Sequence, residues 1–326
     1  MNKCGRNFRV EIFGESHGEI VGILIDGIPP GIIIKEKDFS KDLKRRKPYK
    51  KGTTERKEKD LPQIKTGILN NKTTGAPVLI YFKNEDVDSS KYERLKNKPR
   101  PGHADFTAYK KYNGYNDYRG GGMFSGRLTA GLVAAGVLAK KIIKNIDIGA
   151  EVISVGGLDY NKKNISKLLT KNDSFGGVVE CRASSIPAGW GEPFFDSAES
   201  VLSHILFSVP GIKGIEFGAG FRAAKMKGSE FNDEIIDRDG KTSTNNAGGI
   251  NGGITNGNDL IFRTAVRPAS SISKKQNTIN LKTGEKEKIK IEGRHDKLIV
   301  LRMPVIIEAV TAIALADLKI TSKMYD

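Results

Sequence analysis

The stretch Phe13-Gly14-Glu15-Ser16-His17-Gly18, with the run that follows it, constrains this chain more than any other feature. Glycines on both sides leave a hydroxyl and an imidazole on backbone that a ligand can approach closely. Ile20-Val21-Gly22-Ile23-Leu24-Ile25 is then a short apolar run closed by Asp26-Gly27, the pattern of a buried strand ending in a turn. The Ser-His pair therefore belongs to a strand–loop–strand unit near the start of the chain. The letters Gly14-x-Ser16-x-Gly18 also fit the nucleophile elbow of a serine hydrolase, with Ser16 attacking. That elbow needs a strand before it and a helix after it, high in an assembled α/β sheet. Only about ten residues precede Gly14, and a strand pattern follows, so the context is missing.

Length and cysteine usage narrow the class further. The chain has 326 residues with 37 glycines and 38% hydrophobic residues, which describes a loop-rich globular protein with a real core. We expect one domain over 1–326. Cys4 and Cys181 are the two cysteines and no C-x-x-C spacing accompanies them, so neither a disulfide framework nor a metal site is expected. No apolar run approaching the ~20 residues of a membrane span is expected. The N-terminus leads into a strand pattern rather than a signal-peptide core, which makes the cytoplasm the expected location.

The formal net charge is +16, from 54 Lys and Arg against 38 Asp and Glu. Such an excess points to an anionic partner, either nucleic acid or a multiply charged small molecule, or to a lysine-coated surface. The arginines carry more information than the lysines. They recur beside glycine-rich turns, as in Arg45-Arg46, Arg119-Gly120-Gly121-Gly122, Gly126-Arg127, Arg267-Pro268 and Gly293-Arg294-His295-Asp296. Arginine beside exposed backbone N–H groups grips carboxylates and phosphates bidentately. Aromatics are 7% of the chain without an RNP-like run, which leaves nucleic-acid binding without a recognisable module.

Periodicity predicts strands over roughly 7–12, 20–26, 77–83, 147–155, 177–182, 212–217, 260–266 and 287–292, and helices over roughly 37–46, 126–144, 197–208 and 305–319. Ser125 is placed to cap the second helix, and Pro304 suits the first turn of the last. The long irregular segments, roughly 47–60, 96–124, 238–258 and 267–286, are where function is expected. Arg119 through Arg127 is a glycine-rich loop running into a helix start, a geometry that suits an anion. It lacks the Gly-Lys-Ser/Thr ending of a P-loop, and no G-x-G-x-x-G opens a helix after the first strand. Three of the four histidines, His17, His103 and His295, lie in glycine-flanked loops.

Taken in order, FGESHG with IDGIPPG, RPGHADFT, DYRGGGMFSGRLTA, NNAGGINGG, RPASSI and GRHD resemble the signature motifs of the chorismate synthase family, from Phe8 to the last helix. The resemblance implies an α+β sandwich of antiparallel sheets enclosed by helices, usually in a homotetramer. It implies conversion of 5-enolpyruvylshikimate 3-phosphate to chorismate and phosphate by a 1,4-anti elimination dependent on reduced FMN, with NADPH as a candidate reductant. The family's flavin donates electron density transiently and regains it as the ring hydrogen departs. A substrate with one phosphate and two carboxylates accounts for a basic, arginine-lined pocket better than nucleic acid or a membrane does.

The same resemblance assigns His17 to the reduced flavin, His103 to the leaving phosphate, and Ser16 and Ser125 to a proton relay. Asp296 matches the carboxylate that accepts the substrate proton. Arg45, Arg119, Arg127 and Arg294 are expected on the substrate's anionic groups. FMN contacts carry over to Met123, Phe124, Ser125, Pro210, Gly211, Gly252, Arg267, Pro268, Ala269, Ser270, Ser271 and Arg294, and NADPH contacts to Arg46 and Lys51. Met123-Phe124 stands where many members have an arginine, Lys51 where an arginine is usual, and Lys297 where proline is common. These departures bear on affinity and nicotinamide use more than on reaction type.

Overall fold

Two helices apolar on nearly every side determine the architecture, because such helices are stable only when covered all round. A computed structural model describes residues 2–48, 51–54, 56, 58–291 and 295–322. Its helices are α1 (Glu36–Arg46), α2 (Asp105–Lys111), α3 (Thr129–Ile142), α4 (Lys162–Leu169), α5 (Ala198–Ser208), the single turn α6 (Gly228–Phe231) and α7 (Met303–Ser322). In α3 every residue from Thr129 to Ala139 is buried, and in α7 every residue from Val305 to Leu318.

One sheet flanks each side of this helical layer. The first contains β1 (Lys3–Cys4), β2 (Arg9–Gly14), β3 (Ile20–Asp26), β4 (Gln63–Ile64) and β5 (Val78–Lys83) in the order β1-β2-β3-β5-β4. The second contains β6 (Asp147–Val155), β7 (Leu158–Asp159), β8 (Gly177–Ser184), β9 (Ile212–Phe217) and β10 (Leu260–Val266) in the order β9-β10-β8-β6-β7. Neighbouring strands in both sheets are antiparallel. The expected α+β sandwich of antiparallel sheets is present, but its longest helices lie between the sheets instead of enclosing them, because α3 and α7 are apolar all round and need cover on both sides.

Glycine lets α3 approach both neighbours. A Cβ at Gly131 would lie 3.1 Å from the Gly22 carbonyl oxygen and Ile23 Cβ of β3, and one at Gly136 would lie 2.5 Å from Ala309 Cβ of α7. Gly136 follows Gly131 by five positions, which puts them about 140° apart around the helix axis. One face of α3 therefore meets the first sheet while another meets α7. α7 reaches the second sheet through Glu308, whose Oε1 accepts the Ala150 N–H of β6 at 3.1 Å. On β10 Leu260, Phe262, Thr264 and Val266 face this interior, while Arg263 points outward between Glu180 and Glu216 of the flanking strands.

The expected strands and the four expected helices are all observed, within a few residues at each end. The expectation about apolar runs needs correction. Ile299–Ser322 is long and apolar enough to cross a membrane by length and composition, with a mean hydropathy of 2.1 over its best window, but 83% of that window is buried inside the protein. It is an interior helix whose apolar surface is already covered by protein.

Gly136→Ala tests the central contact. A methyl has helix propensity in its favour by ~1 kcal/mol, but at 2.5 Å from Ala309 it must push α3 and α7 apart. Overpacking of this kind costs about 1–3 kcal/mol, so the urea midpoint should fall. A raised midpoint would mean that the helices separate freely.

Candidate active site

The Ser16-His17 loop joins two antiparallel strands, β2 and β3, so the strand–helix context of a hydrolase elbow is absent. The loop is pinned from two directions. Asn84 Nδ2 donates to the Glu15 and Gly18 carbonyls at 2.9 and 2.7 Å, and the Ser16 N–H donates to the Gly122 carbonyl at 3.1 Å. Gly120, Gly121 and Gly122 all have positive φ, at 56°, 85° and 52°. A Cβ at Gly120 would fall 2.0 Å from His17 Nδ1, and one at Gly121 would fall 3.2 Å from His103 Cε1. The glycine triplet thus packs against both imidazoles, and only glycine fits at Gly120. Ser125 then caps the turn leading into α3, its Oγ accepting the Arg127 N–H at 3.2 Å.

These loops border a cavity of about 630 Å³, within the range of small-molecule sites. Of the residues expected to be functional, Ser16, His17, Arg46, His103, Met123, Phe124, Ser125, Arg127, Pro210, Gly211, Arg267, Pro268, Ala269, Ser270, Ser271 and Asp296 line it. Arg45, Arg119, Lys51 and Gly252 do not. Arg45 forks onto Glu308 with contacts of 2.6 and 2.7 Å, and Arg119 is paired with Asp117 at 2.9 Å. Lys51 is exposed, and Gly252 sits in the turn of the hairpin joining Ile250–Asn251 to Ile254–Thr255. Arg294 lies outside the described residues.

Two arginines expected to grip ligands are held by the protein instead. Asp60, buried with φ 49°, takes Arg46 Nη1 at 3.2 Å on one carboxylate oxygen and Arg127 Nη1 on the other. Arg46 also donates to Thr129 Oγ1 and to the Gly126 and Arg127 carbonyls, at 3.0, 2.9 and 3.0 Å. Arg127 Nε donates to Asn84 Oδ1 at 2.9 Å. Burial pulls the Arg46 guanidinium down to about 9, against the opposing pull of Asp60. For Asp60 burial is the largest influence and would raise the carboxyl, but the charges of Arg46 and Arg127 together hold it below its ordinary value.

Arg56, Arg100, Arg302 and Lys213 also line the cavity and were not foreseen individually. Arg56 donates to Ser16 Oγ at 3.0 Å and to the Ser16 carbonyl at 3.1 Å, and is held by Glu58 at 2.6 Å. Its position inside the irregular 47–60 segment was the available signal. Asp296 accepts the Thr54 N–H at 2.7 Å and Arg302 Nη1 at 3.1 Å. The His17 pKa is lowered, first by burial and then by the charge of Arg56, and its Nδ1 is buried without a hydrogen-bond partner among the described residues. Both influences favour the neutral ring.

A second cavity, of about 590 Å³, lies beside β1, α5 and the end of α7. Most of its charges are already committed: Arg9 to Asp26, Lys3 to Glu11, Arg6 to Asp196, and Asp317 to the backbone N–H groups of Arg6, Asn7 and Phe8. It presents none of the convergent loops of the first.

Comparison with known proteins agrees with this arrangement of motifs. The family model described as chorismate synthase matches residues 8–320. The chain belongs to the chorismate synthase family. It is similar to the chorismate synthase of Chitinophaga pinensis, 58% identical over 318 residues that cover 97% of this chain and 96% of the relative. It is also similar to that of Pyrococcus abyssi, 44% identical over 341 residues covering 96% of each. A crystal structure of chorismate synthase superposes with a TM-score of 0.75 at 26% identity, covering 97% of this chain and 93% of that one. The protein is thus an enzyme, a lyase of the chorismate synthase type, belonging to the shikimate pathway of aromatic amino acid biosynthesis.

Asp60→Asn should lower stability by about 3–5 kcal/mol, because it leaves two buried guanidinium groups without their anion. Since the folded carboxyl lies below its unfolded value, its stabilisation is present above about pH 4 and is lost as pH falls through the folded value. Acid titration of unfolding should therefore be less steep in the variant below about pH 4. Equal steepness would exclude Asp60 as the group responsible.

Proposed function

We propose that this cavity converts 5-enolpyruvylshikimate 3-phosphate to chorismate and phosphate by a reduced-FMN-dependent 1,4-anti elimination. The observation that carries this reading is the packing of His17 and His103 against one glycine triplet at the wall of a cation-rich cavity. The starts of α3 and α7 also border it, through Ser125–Arg127 and through Ile299 and Arg302. Their positive dipole ends add to the arginines in favouring a ligand with several negative charges.

The residues present fit a flavin mononucleotide. Met123, Phe124, Val209 and Ile299 offer apolar surface, Arg267 and Lys213 offer cations, and the buried Nδ1 of His17 has no partner among the described residues. Met123, Phe124, Ser125, Pro210, Gly211 and Arg267 through Ser271 would hold it, with Arg294 assigned by resemblance. When bound in its reduced form, FMN supplies electron density that helps the phosphate leave. Arg56, Arg267, Arg302 and Lys213 would orient the phosphate and carboxylates of the substrate.

Overall, the C–O bond breaks with its pair leaving on phosphate, the pair of the broken C–H bond forms a double bond to the neighbouring ring carbon, and the existing ring double bond shifts toward the carbon that loses oxygen. His103 gives a proton to the departing phosphate, and Asp296 takes the ring proton. His17, half-buried and with its pKa lowered, holds a hydrogen bond at the flavin, and Ser16 and Ser125 line the proton path. NADPH is the proposed reductant. Of the two residues expected to touch it, Arg46 has its guanidinium occupied by Asp60, Thr129 and two carbonyls, so Lys51 is the one we retain. We further propose one domain over 1–326, a cytoplasmic location and a homotetramer. Phe194, Phe195 and Phe221, at 85%, 91% and 84% exposure, support an interface between copies.

Anaerobic incubation with substrate and photoreduced FMN should yield chorismate and phosphate in equal amounts, and oxidised FMN should yield neither. Flavin binding without product would overturn the substrate assignment. His17→Ala and His103→Ala should fold yet lose about two to four powers of ten in turnover, the usual scale for acid–base groups. Near-full activity in either would remove that residue from the chemistry.

A further inference from the structure

His103 is held by a carboxylate two residues away. Its Nδ1 lies 2.6 Å from Asp105 Oδ1, and both side chains are mostly buried, at 19% and 18% exposure. Arg100 grips the same carboxylate at three points: its backbone N–H at 3.0 Å and Nε at 2.7 Å on Oδ2, and Nη2 at 2.8 Å on Oδ1. Arg100 Nη1 also donates to Ser271 Oγ at 3.2 Å, which ties the 100–105 segment to the loop after β10. Arg100 Nη2 approaches His103 Nδ1 at 3.1 Å. Two partners therefore compete for Nδ1: Arg100 Nη2 can donate to it when it is bare, and Asp105 Oδ1 can accept from it when it carries a proton. A bare nitrogen 2.6 Å from a carboxylate oxygen is repelled by it, which favours the protonated Nδ1.

We propose, resting on the function above, that Asp105 is a positioning residue that fixes the Nδ1–H tautomer of His103 and leaves Nε2 as its working nitrogen. The opposite edge of the ring lies against Gly121, where a Cβ would come within 3.2 Å of Cε1 and 3.3 Å of Nε2. The missing side chain keeps that edge clear at the cavity wall. As the C–O bond breaks, its electron pair goes to the phosphate oxygen and the Nε2–H proton passes to that oxygen. The ring is left neutral, its remaining proton still on Nδ1 and directed at Asp105. Burial would raise the Asp105 carboxyl, but hydrogen bonds from Arg100 and His103 hold it far below the ordinary range, so it orients the ring without taking its proton. A carboxylate that orients a catalytic imidazole in this way is worth large factors in turnover elsewhere.

Asp105 is also the first residue of α2, where a carboxylate would favour the helix start without any role in chemistry. The experiment must separate these two uses. In the free wild-type protein labelled with 15N-histidine, at a pH where His103 is neutral, the signal lost in His103→Ala should show the proton on Nδ1. A proton on Nε2 would overturn the proposal, whether or not any variant folds. Asp105→Asn should shift that signal toward the other tautomer and lower kcat by about 10²–10⁴-fold, with the substrate KM changed by less than about threefold. Asp105→Glu, which restores the charge, should recover at least about tenfold of that loss. A folded Asp105→Asn variant that keeps kcat within about twofold would confine Asp105 to the helix start. If the wild type makes no chorismate, the proposed function fails while the tautomer result stands. If it turns over while Asp105→Asn is unaffected, only the positioning role fails.

Discussion

The site depends first on one buried carboxylate between two buried guanidinium groups. Asp60 meets Arg46 at the end of α1 and Arg127 in the turn before α3, and all three residues are at most 5% exposed. Removing either kind of charge would strand the other in a medium that solvates it poorly. The arrangement also ties Asp60 back to the end of α1, which the chain leaves after Arg46. Thr54, Arg56 and Glu58, between the two in sequence, line the cavity. On the other side, Arg127 is joined to Asn84 and the Lys83 carbonyl, and Asn84 in turn holds the Ser16-His17 loop. Ionic strain relief, loop path and active-site geometry are therefore one constraint.

The layer order explains why the cavity lies where it does. With α3 and α7 between two sheets, each sheet contributes its own loops at the end of the sandwich where the helices begin. The first sheet brings Ser16 and His17 between β2 and β3. The second brings Pro210-Gly211 before β9 and Arg267 through Ser271 after β10. Close approach of α3 to β3 and α7, made by Gly131 and Gly136, keeps these two sets of loops near enough to share one ligand. Packing of small residues deep in the core is thus a condition for a site made of large polar ones.

Much of this was legible in the sequence, and what was not has physical causes. The main strands announced themselves as apolar or alternating runs, and Ser125 was recognisable as a cap because local backbone geometry requires one there. Motif order located most of the cavity's lining. Spacing could not tell a ligand-gripping arginine from a structural one, since that depends on partners distant in sequence. Arg46 and Arg127 find Asp60, and Arg45 finds Glu308 263 positions away. Arg56 and Arg100 were overlooked for the same reason, because only the fold gives them Ser16 and Asp105. The short helices α2 and α4 fell within segments whose lysines and polar residues obscured a weak period. α4 carries Ile165, Leu168 and Leu169 over a cap by Asn161, a signal too brief to stand alone.

The two imidazoles at the cavity receive opposite electrostatic company, and this bears on the roles proposed for them. His17 is half-buried, with the charge of Arg56 acting on it and no partner for Nδ1 among the described residues, which favours the neutral ring. His103 faces a carboxylate that is itself pinned by Arg100. A neutral ring serves as a hydrogen-bond donor or acceptor at fixed charge, whereas a ring backed by a carboxylate can carry and release a proton with its orientation preserved. When two titratable groups share a site, the difference in their surroundings assigns their roles. That criterion agrees with the role proposed for His103 at the departing phosphate, where negative charge accumulates. His17 is suited to a partner whose charge must be held steady. The glycine triplet packed against both rings makes the division workable, since it admits each imidazole to the same cavity without letting either displace the other.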